Sequence, residues 1–192
     1  MRRGIRDERV LDAMRAVPRE LFVPEDARRN AYDDAALALD RGQTISQPFV
    51  VALICQSLGL AGDERVLDVG TGSGYQAAVL AELAGEVVSV EVIPELSLLA
   101  RGNLAAAGYG DRVELAVGNV RELDPGASFD AIAVAAASDD LPPGVLRQLA
   151  PEGRIVLPVG GGLDQMLVLV ERRAGRTRTR AIAPVRFVPL VP

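Results

Sequence analysis

Apolar and polar positions along the chain alternate between short apolar runs and longer helical stripes. VLDV at 66–69 is a compact apolar run rich in β-branched residues, followed by glycines at 70, 72 and 74. From Tyr75 the apolar positions 75, 79, 80 and 83 recur at helical spacing, so this stretch predicts a strand, a tight turn and a helix. VVSVE at 87–91 is a second strand, and a helix is expected over 95–107. VELAV (113–117), FDAIAV (129–134) and RIVLPV (154–159) add three more strands, with a helix after Pro142 and Pro143. Strands separated by helices imply a parallel sheet covered on both faces. QMLVLVER (165–172) and TRAIAPVRFVPL (179–190) are strand-like with only an Arg/Gly turn between them, which predicts an antiparallel hairpin closing the sheet. The fold expected is α/β, with a doubly wound, mostly parallel, seven-stranded sheet.

The first 60 residues follow a different pattern. Leu11, Met14 and Val17 sit at helical spacing, prolines at 18 and 24 interrupt it, and EDARRNAY (25–32) reads as a second short helix. Residues 33–47 lack strong periodicity and are expected to form a structured loop. Pro48, Val51, Ile54, Cys55 and Leu58 then mark a helix whose proline falls in the first turn, where its missing N–H costs little. One domain spanning 1–192 accommodates all of this: a helical lead-in (1–60), an α/β core (61–160) and a C-terminal hairpin (161–192).

Composition narrows the chemistry. The 192 residues are 49% apolar and 24% charged, a globular balance. A chain of this length buries roughly 70% of the surface its unfolded form exposes. No apolar run is long enough to span a bilayer and no signal-like N-terminus is evident, so a soluble cytoplasmic protein without a membrane partner is expected. The net charge of −5 argues against general nucleic-acid binding. The basic clusters at Arg2 and Arg3, Arg28 and Arg29, and 172–180 read as solvated faces and turns. All 21 basic residues are arginine, and histidine and lysine are absent. Imidazole catalysis and amine nucleophiles are therefore unavailable. A metal site is not expected from one thiol and no imidazole. The single Cys55 is read as a buried small hydrophobe.

A strand, glycine-rich turn and helix form a nucleotide-type pocket. The spacing is GxGxG, and the third glycine of the dinucleotide fingerprint GxGxxG would fall on Tyr75, so a nicotinamide dinucleotide is disfavoured. In doubly wound sheets ligands sit outside the carboxyl ends of the strands. That places residues 68–74, Glu91, Asn119 and 135–138 on one edge, with Glu91 where such folds bind a ribose diol. Taken singly, Asp68 could cap the turn, Glu91 could be a solvated strand end and Asn119 could simply form a turn.

With those residues in place, the chain resembles the protein-L-isoaspartate O-methyltransferases, a branch of the class I S-adenosylmethionine-dependent methyltransferases with a Rossmann-like fold. VLDVGTGSGYQAAVLA resembles the family's nucleotide loop, and GQTISQP (42–48) its most characteristic segment. VLDAMRAVPRELFVPEDARRNAYDD, FDAIAVAAA, LAPEGRIVLPVG and VRFVPL match in order. The resemblance implies methyl transfer from S-adenosylmethionine, leaving S-adenosylhomocysteine, to the α-carboxylate of an isoaspartyl residue in a damaged protein or peptide. It implies that Ser46 is the active-site serine, flanked by Thr44 and Ile45 in a substrate loop. It assigns the cofactor to Asp68, Gly70, Thr71, Gly72, Gly74, Glu91, Val92, Asn119, Val120 and Ala135, with no metal and a monomeric protein. This chemistry suits a chain without histidine, because a carboxylate is already ionised at neutral pH and needs no general base. On its own Ser46 could equally cap the helix that begins at Pro48. Asn119 departs from the acidic GDG-like turn usual in the family, and SDDLP after FDAIAVAAA is more acidic than expected. Two other readings stay open: a methyltransferase with a different small-molecule or peptide acceptor, and a non-catalytic descendant that only binds cofactor or peptide.

Overall fold

In the computed structural model, which describes residues 4–123, 128–162 and 164–190, the expected alternation closes into one mixed sheet. Arg2 and Arg3 lie outside the described residues. In chain order the elements are α1 (Glu8–Ala16), β1 (Leu37–Ala38), β2 (Thr44–Ile45), α2 (Pro48–Leu58), β3 (Arg65–Val69), α3 (Tyr75–Ala81) and β4 (Glu86–Glu91). They continue with α4 (Pro94–Ala106), β5 (Glu114–Val117), β6 (Phe129–Val134), α5 (Pro143–Arg147), β7 (Leu149–Val159), β8 (Gln165–Arg173) and β9 (Arg176–Val185). The main sheet runs β5-β4-β3-β6-β7-β8-β9. Its first five strands are parallel, and β8 and β9 are antiparallel.

Successive residues of a strand face opposite sides, and both sides are covered, so the strands read as continuous apolar runs rather than alternations. Val66, Ala131, Ala133, Val156 and Leu167 join the core formed with α1, α2 and α3. Their neighbours Leu67, Ile132, Val134, Ile155 and Leu157 pack on the other face with Val145 of α5. Each fully buried aliphatic side chain contributes on the order of 1.5–3 kcal/mol. Asp7 starts α1 by accepting the N–H of Arg9. Pro48 sits in the first turn of α2, and Gly59 ends that helix in the left-handed conformation.

Three local expectations change. EDARRNAY winds as a 3-10 helix over Glu25–Asn30. The segment 33–47, expected to be a loop, holds the small antiparallel pair β1–β2, with Leu37 opposite Ile45 and Ala38 opposite Thr44. The last strand is displaced as well: β9 begins at Arg176 and ends at Val185, rather than running over 179–190. The cause lies in the register, because Val185 pairs with Gln165, the first residue of β8, so residues beyond 185 have no strand to lie beside. The buried Gln165 side chain takes over that role for one residue, accepting the N–H of Phe187 (2.7 Å) and donating to its carbonyl (3.1 Å). The tail then crosses to Ala137, whose N–H donates to Val188 O (2.8 Å) and whose carbonyl accepts from Leu190 (2.7 Å).

The winding reverses at β3, which has β4 on one side and β6 on the other. A crevice opens at such a reversal, beyond the carboxyl ends of the strands.

Candidate active site

At the end of β3 the chain turns sharply into α3. The N–H groups of Gly70 and Thr71 both reach the Val90 carbonyl (2.9 and 3.3 Å), which fastens the turn to the end of β4. Gly74 has φ +89, and a Cβ there would lie 3.1 Å from Leu104 of α4. Both conformation and space therefore require glycine at 74. Tyr75, next in sequence, is buried away from that contact, with its ring edge-on to Phe22 at 5.7 Å between centroids. That explains how a bulky side chain is tolerated where a dinucleotide fingerprint would have glycine.

A cavity of about 980 Å³, counting its open mouth, lies over the turn. Of the residues singled out from the sequence, Thr44, Ile45, Ser46, Gly70, Thr71, Gly72, Glu91, Val92, Asn119, Val120 and Ala135 line it. Asp68 and Gly74 stand behind it. Asp68 is fully buried and accepts from Gln76 Nε2 and Ser89 Oγ (2.7 Å each), while Ser89 Oγ lies 2.6 Å from Thr71 Oγ1. It thus ties β3, β4, the turn and α3 together. Burial pushes its carboxyl up to about 6, against the pull of those two hydrogen bonds and with a smaller push from the Glu91 charge.

Glu91 is 5% exposed, and each of its oxygens accepts one backbone N–H, Oε2 from Gly72 (2.9 Å) and Oε1 from Ile93 (3.0 Å). An ionised carboxylate has about four acceptor positions, so two remain for a diol. Asn119 follows Gly118 at the end of β5, and its N–H points to Glu122 Oε2 at 3.4 Å. Ser46 does not cap α2: the N-cap is Gln47, which supplies its carbonyl and no side-chain bond. Ser46 instead stands just ahead of the helix on the cavity wall, its carbonyl accepting from Arg19 Nη2 at 2.9 Å.

Sequence reasoning missed part of the wall. Gln43, Leu96, Pro142 and the tail residues Val188, Pro189 and Leu190 also line the cavity. The tail had a signal in the VRFVPL match, but its alternation read as a strand. Among the described residues no cluster of acids, cysteine or histidine could hold a metal.

The wall combines one carboxylate with free acceptor positions, an asparagine and apolar surface from Val92, Ile93, Leu96 and Val120, all beside a glycine turn. That donor and acceptor set fits the adenosine part of S-adenosylmethionine: a diol for Glu91 and a flat ring for the apolar surface. The same cavity continues to Thr44, Ile45 and Ser46.

Comparison with known proteins agrees with this geometry. The protein-L-isoaspartate(D-aspartate) O-methyltransferase family matches the sequence over residues 1–192. A protein-L-isoaspartate O-methyltransferase of Opitutus terrae is 51% identical over 189 residues, covering 97% of this chain and 81% of its own. One from Methanoculleus marisnigri is 50% identical, covering 98% and 86%. A crystal structure described as a Plasmodium falciparum protein-L-isoaspartate O-methyltransferase in complex with S-adenosyl-L-homocysteine superposes with a TM-score of 0.87 at 25% identity. That match covers 99% of this chain and 94% of the other. The chain belongs to the protein-L-isoaspartate(D-aspartate) O-methyltransferase family.

Proposed function

We propose that the chain transfers the methyl group of S-adenosylmethionine to the α-carboxylate of L-isoaspartyl residues in damaged proteins and peptides, and that its residues divide this work between two sides of one cavity. The observation carrying this reading is the meeting, in a single cavity, of the 44–46 segment with the strand ends that bear Gly70, Glu91, Asn119 and Ala135.

On the donor side, the turn at 70–74 presents its backbone, Glu91 holds the ribose hydroxyls and Asn119 faces the adenine. Val92, Val120 and Ala135 exclude water around them. Asp68 and Gly74 act from behind the wall by setting the shape of the turn. On the acceptor side, Ser46 donates its hydroxyl proton in a hydrogen bond to the carboxylate, flanked by Thr44 and Ile45. When bound, the cofactor supplies a methyl group on a positively charged sulfur. The acceptor carboxylate is ionised at neutral pH, so the protein needs to align and desolvate it rather than remove a proton, and alignment of this kind accelerates transfer greatly. Ser46 has no covalent role, since the chain carries no histidine or lysine to activate it.

We place this activity on a cytoplasmic monomer, with 1–60, 61–160 and 161–192 acting as one domain. Among the described residues, no helix is long and apolar enough to cross a membrane.

The test uses labelled S-adenosylmethionine and paired peptides carrying aspartate or isoaspartate at the same site. Base-labile label on the isoaspartyl peptide alone is the expected result. Label on neither peptide, with S-adenosylhomocysteine still bound, would point to another acceptor or to a binding protein without turnover.

A further inference from the structure

Among the described residues, Arg19 is the largest fully buried charged side chain. Its side chain is 1% exposed. Nε donates to the Ala31 carbonyl at 2.7 Å and Nη2 to the Ser46 carbonyl at 2.9 Å. Its Cζ lies 4.6 Å from the centroid of the Tyr75 ring. Nη1 has no partner among the described residues. Burying a cation is costly unless it is well compensated. Here compensation comes from two carbonyls and an aromatic face, an arrangement that leaves both N–H groups of Nη1 unmet among the described residues.

What that arrangement achieves is a connection. Ser46 is on the acceptor side of the cavity, Tyr75 is the first residue of α3 immediately after the glycine turn on the donor side, and both line the cavity. Ala31 closes the 3-10 helix of the lead-in. One planar group therefore fixes the distance between the acceptor segment and the donor turn, with the lead-in as its anchor. A guanidinium can do this because its donors diverge in one plane while its face lies flat on a ring. A lysine ammonium offers one nitrogen and no flat face, so it cannot satisfy both carbonyls and the ring together.

We propose that Arg19 is the positioning residue of the acceptor site, holding the Ser46 backbone against the Tyr75 end of the glycine turn so that the serine hydroxyl meets the acceptor carboxylate in line with the donor. This rests on the assignment of Ser46 made above. Displacements of about 1 Å at a reacting centre can cost on the order of a hundredfold in rate. Arg19→Lys should accordingly lower kcat with the isoaspartyl peptide by roughly 10- to 100-fold, normalised to S-adenosylhomocysteine-binding sites, while KM for S-adenosylmethionine stays within about twofold. The decisive reading is a double-mutant cycle. Ser46→Ala should slow wild-type turnover strongly, yet add less than about threefold in the Arg19→Lys background, because a misplaced hydroxyl has little left to lose.

Normal kcat per binding site in Arg19→Lys would overturn the proposal. So would losses that simply multiply in the double variant. If Arg19→Lys fails to fold, Arg19→Gln takes its place, keeping two of the donors without the charge. Failure of both to yield protein that binds S-adenosylhomocysteine would assign Arg19 to folding alone and also overturn it. Full activity in Ser46→Ala alone would instead remove the serine assignment on which the proposal stands. Absence of any label on the isoaspartyl peptide with the wild type would remove the activity itself.

Discussion

Each oxygen of Glu91 already accepts one backbone N–H, from Gly72 and from Ile93, so the carboxylate is oriented before any ligand arrives. A preoriented charged acceptor is worth about 1.5–3 kcal/mol per hydrogen bond made. Glu91→Ala should therefore weaken S-adenosylhomocysteine binding by roughly 10- to 100-fold in a calorimetric titration. Unchanged affinity would take Glu91 out of the ribose site. Asp68 makes a prediction of the opposite kind, because its folded pKa of about 6 lies above the ordinary 3.8. The folded state keeps that proton to higher pH than the unfolded chain does. The stability it contributes is complete below about 3.8 and is lost as pH rises through about 6, to the extent of about 3 kcal/mol at most. Asp68→Asn keeps an acceptor for Gln76 and does not titrate. Urea unfolding at several pH values should show the variant gaining on the wild type between pH 4 and pH 6.5. A gain for the wild type over that interval would mean that the two hydrogen bonds outweigh burial. The places of Glu91, Asn119 and Ser46 on the cavity wall were legible because strand ends and a distinctive heptapeptide mark them. Arg19 was not, being one of 21 arginines whose meaning depends on carbonyls 12 and 27 residues away.

At the scale of elements, legibility followed length. Strands of four or more apolar residues and helices with a clear stripe declared themselves, since burial on both faces of the sheet leaves a dense apolar signature. The β1–β2 pair has two residues per strand, too few for any alternation to register. The tail failed for another reason: VRFVPL continues the strand pattern, but the partner strand stops at Gln165, which only the three-dimensional register reveals. Two backbone hydrogen bonds to Ala137 hold this tail on the cavity wall. Deleting residues 188–192 should leave the sheet intact and lower the thermal midpoint by about 4–8 °C, consistent with the loss of two hydrogen bonds at about 1 kcal/mol each. The opened wall should raise KM for the isoaspartyl peptide by roughly tenfold, the cost of about 1.4 kcal/mol of lost contact. Steady-state kinetics with unchanged KM would show that the tail only covers the sheet edge.

For the molecule as a whole, the lead-in is the part that brings the 44–46 segment and the glycine turn to one cavity: α1 and α2 pack on the same sheet face as α3. Cys55 sits in the last turn of α2, 1% exposed, and burial pushes its thiol well above the ordinary range. Both effects silence it, since the thiolate is the reactive form and no reagent reaches it in the closed structure. With a single thiol in the chain, any labelling by a thiol-specific reagent must come from Cys55 and must wait for α2 to lift. The protein thereby carries an internal stopwatch for its own opening, readable by mass spectrometry under native conditions without an engineered probe. If α2 lifts only when the cavity comes apart, S-adenosylhomocysteine at a hundred times its Kd should slow labelling about a hundredfold. A rate indifferent to ligand would mean instead that the helix breathes by itself, with the cavity still assembled beneath it.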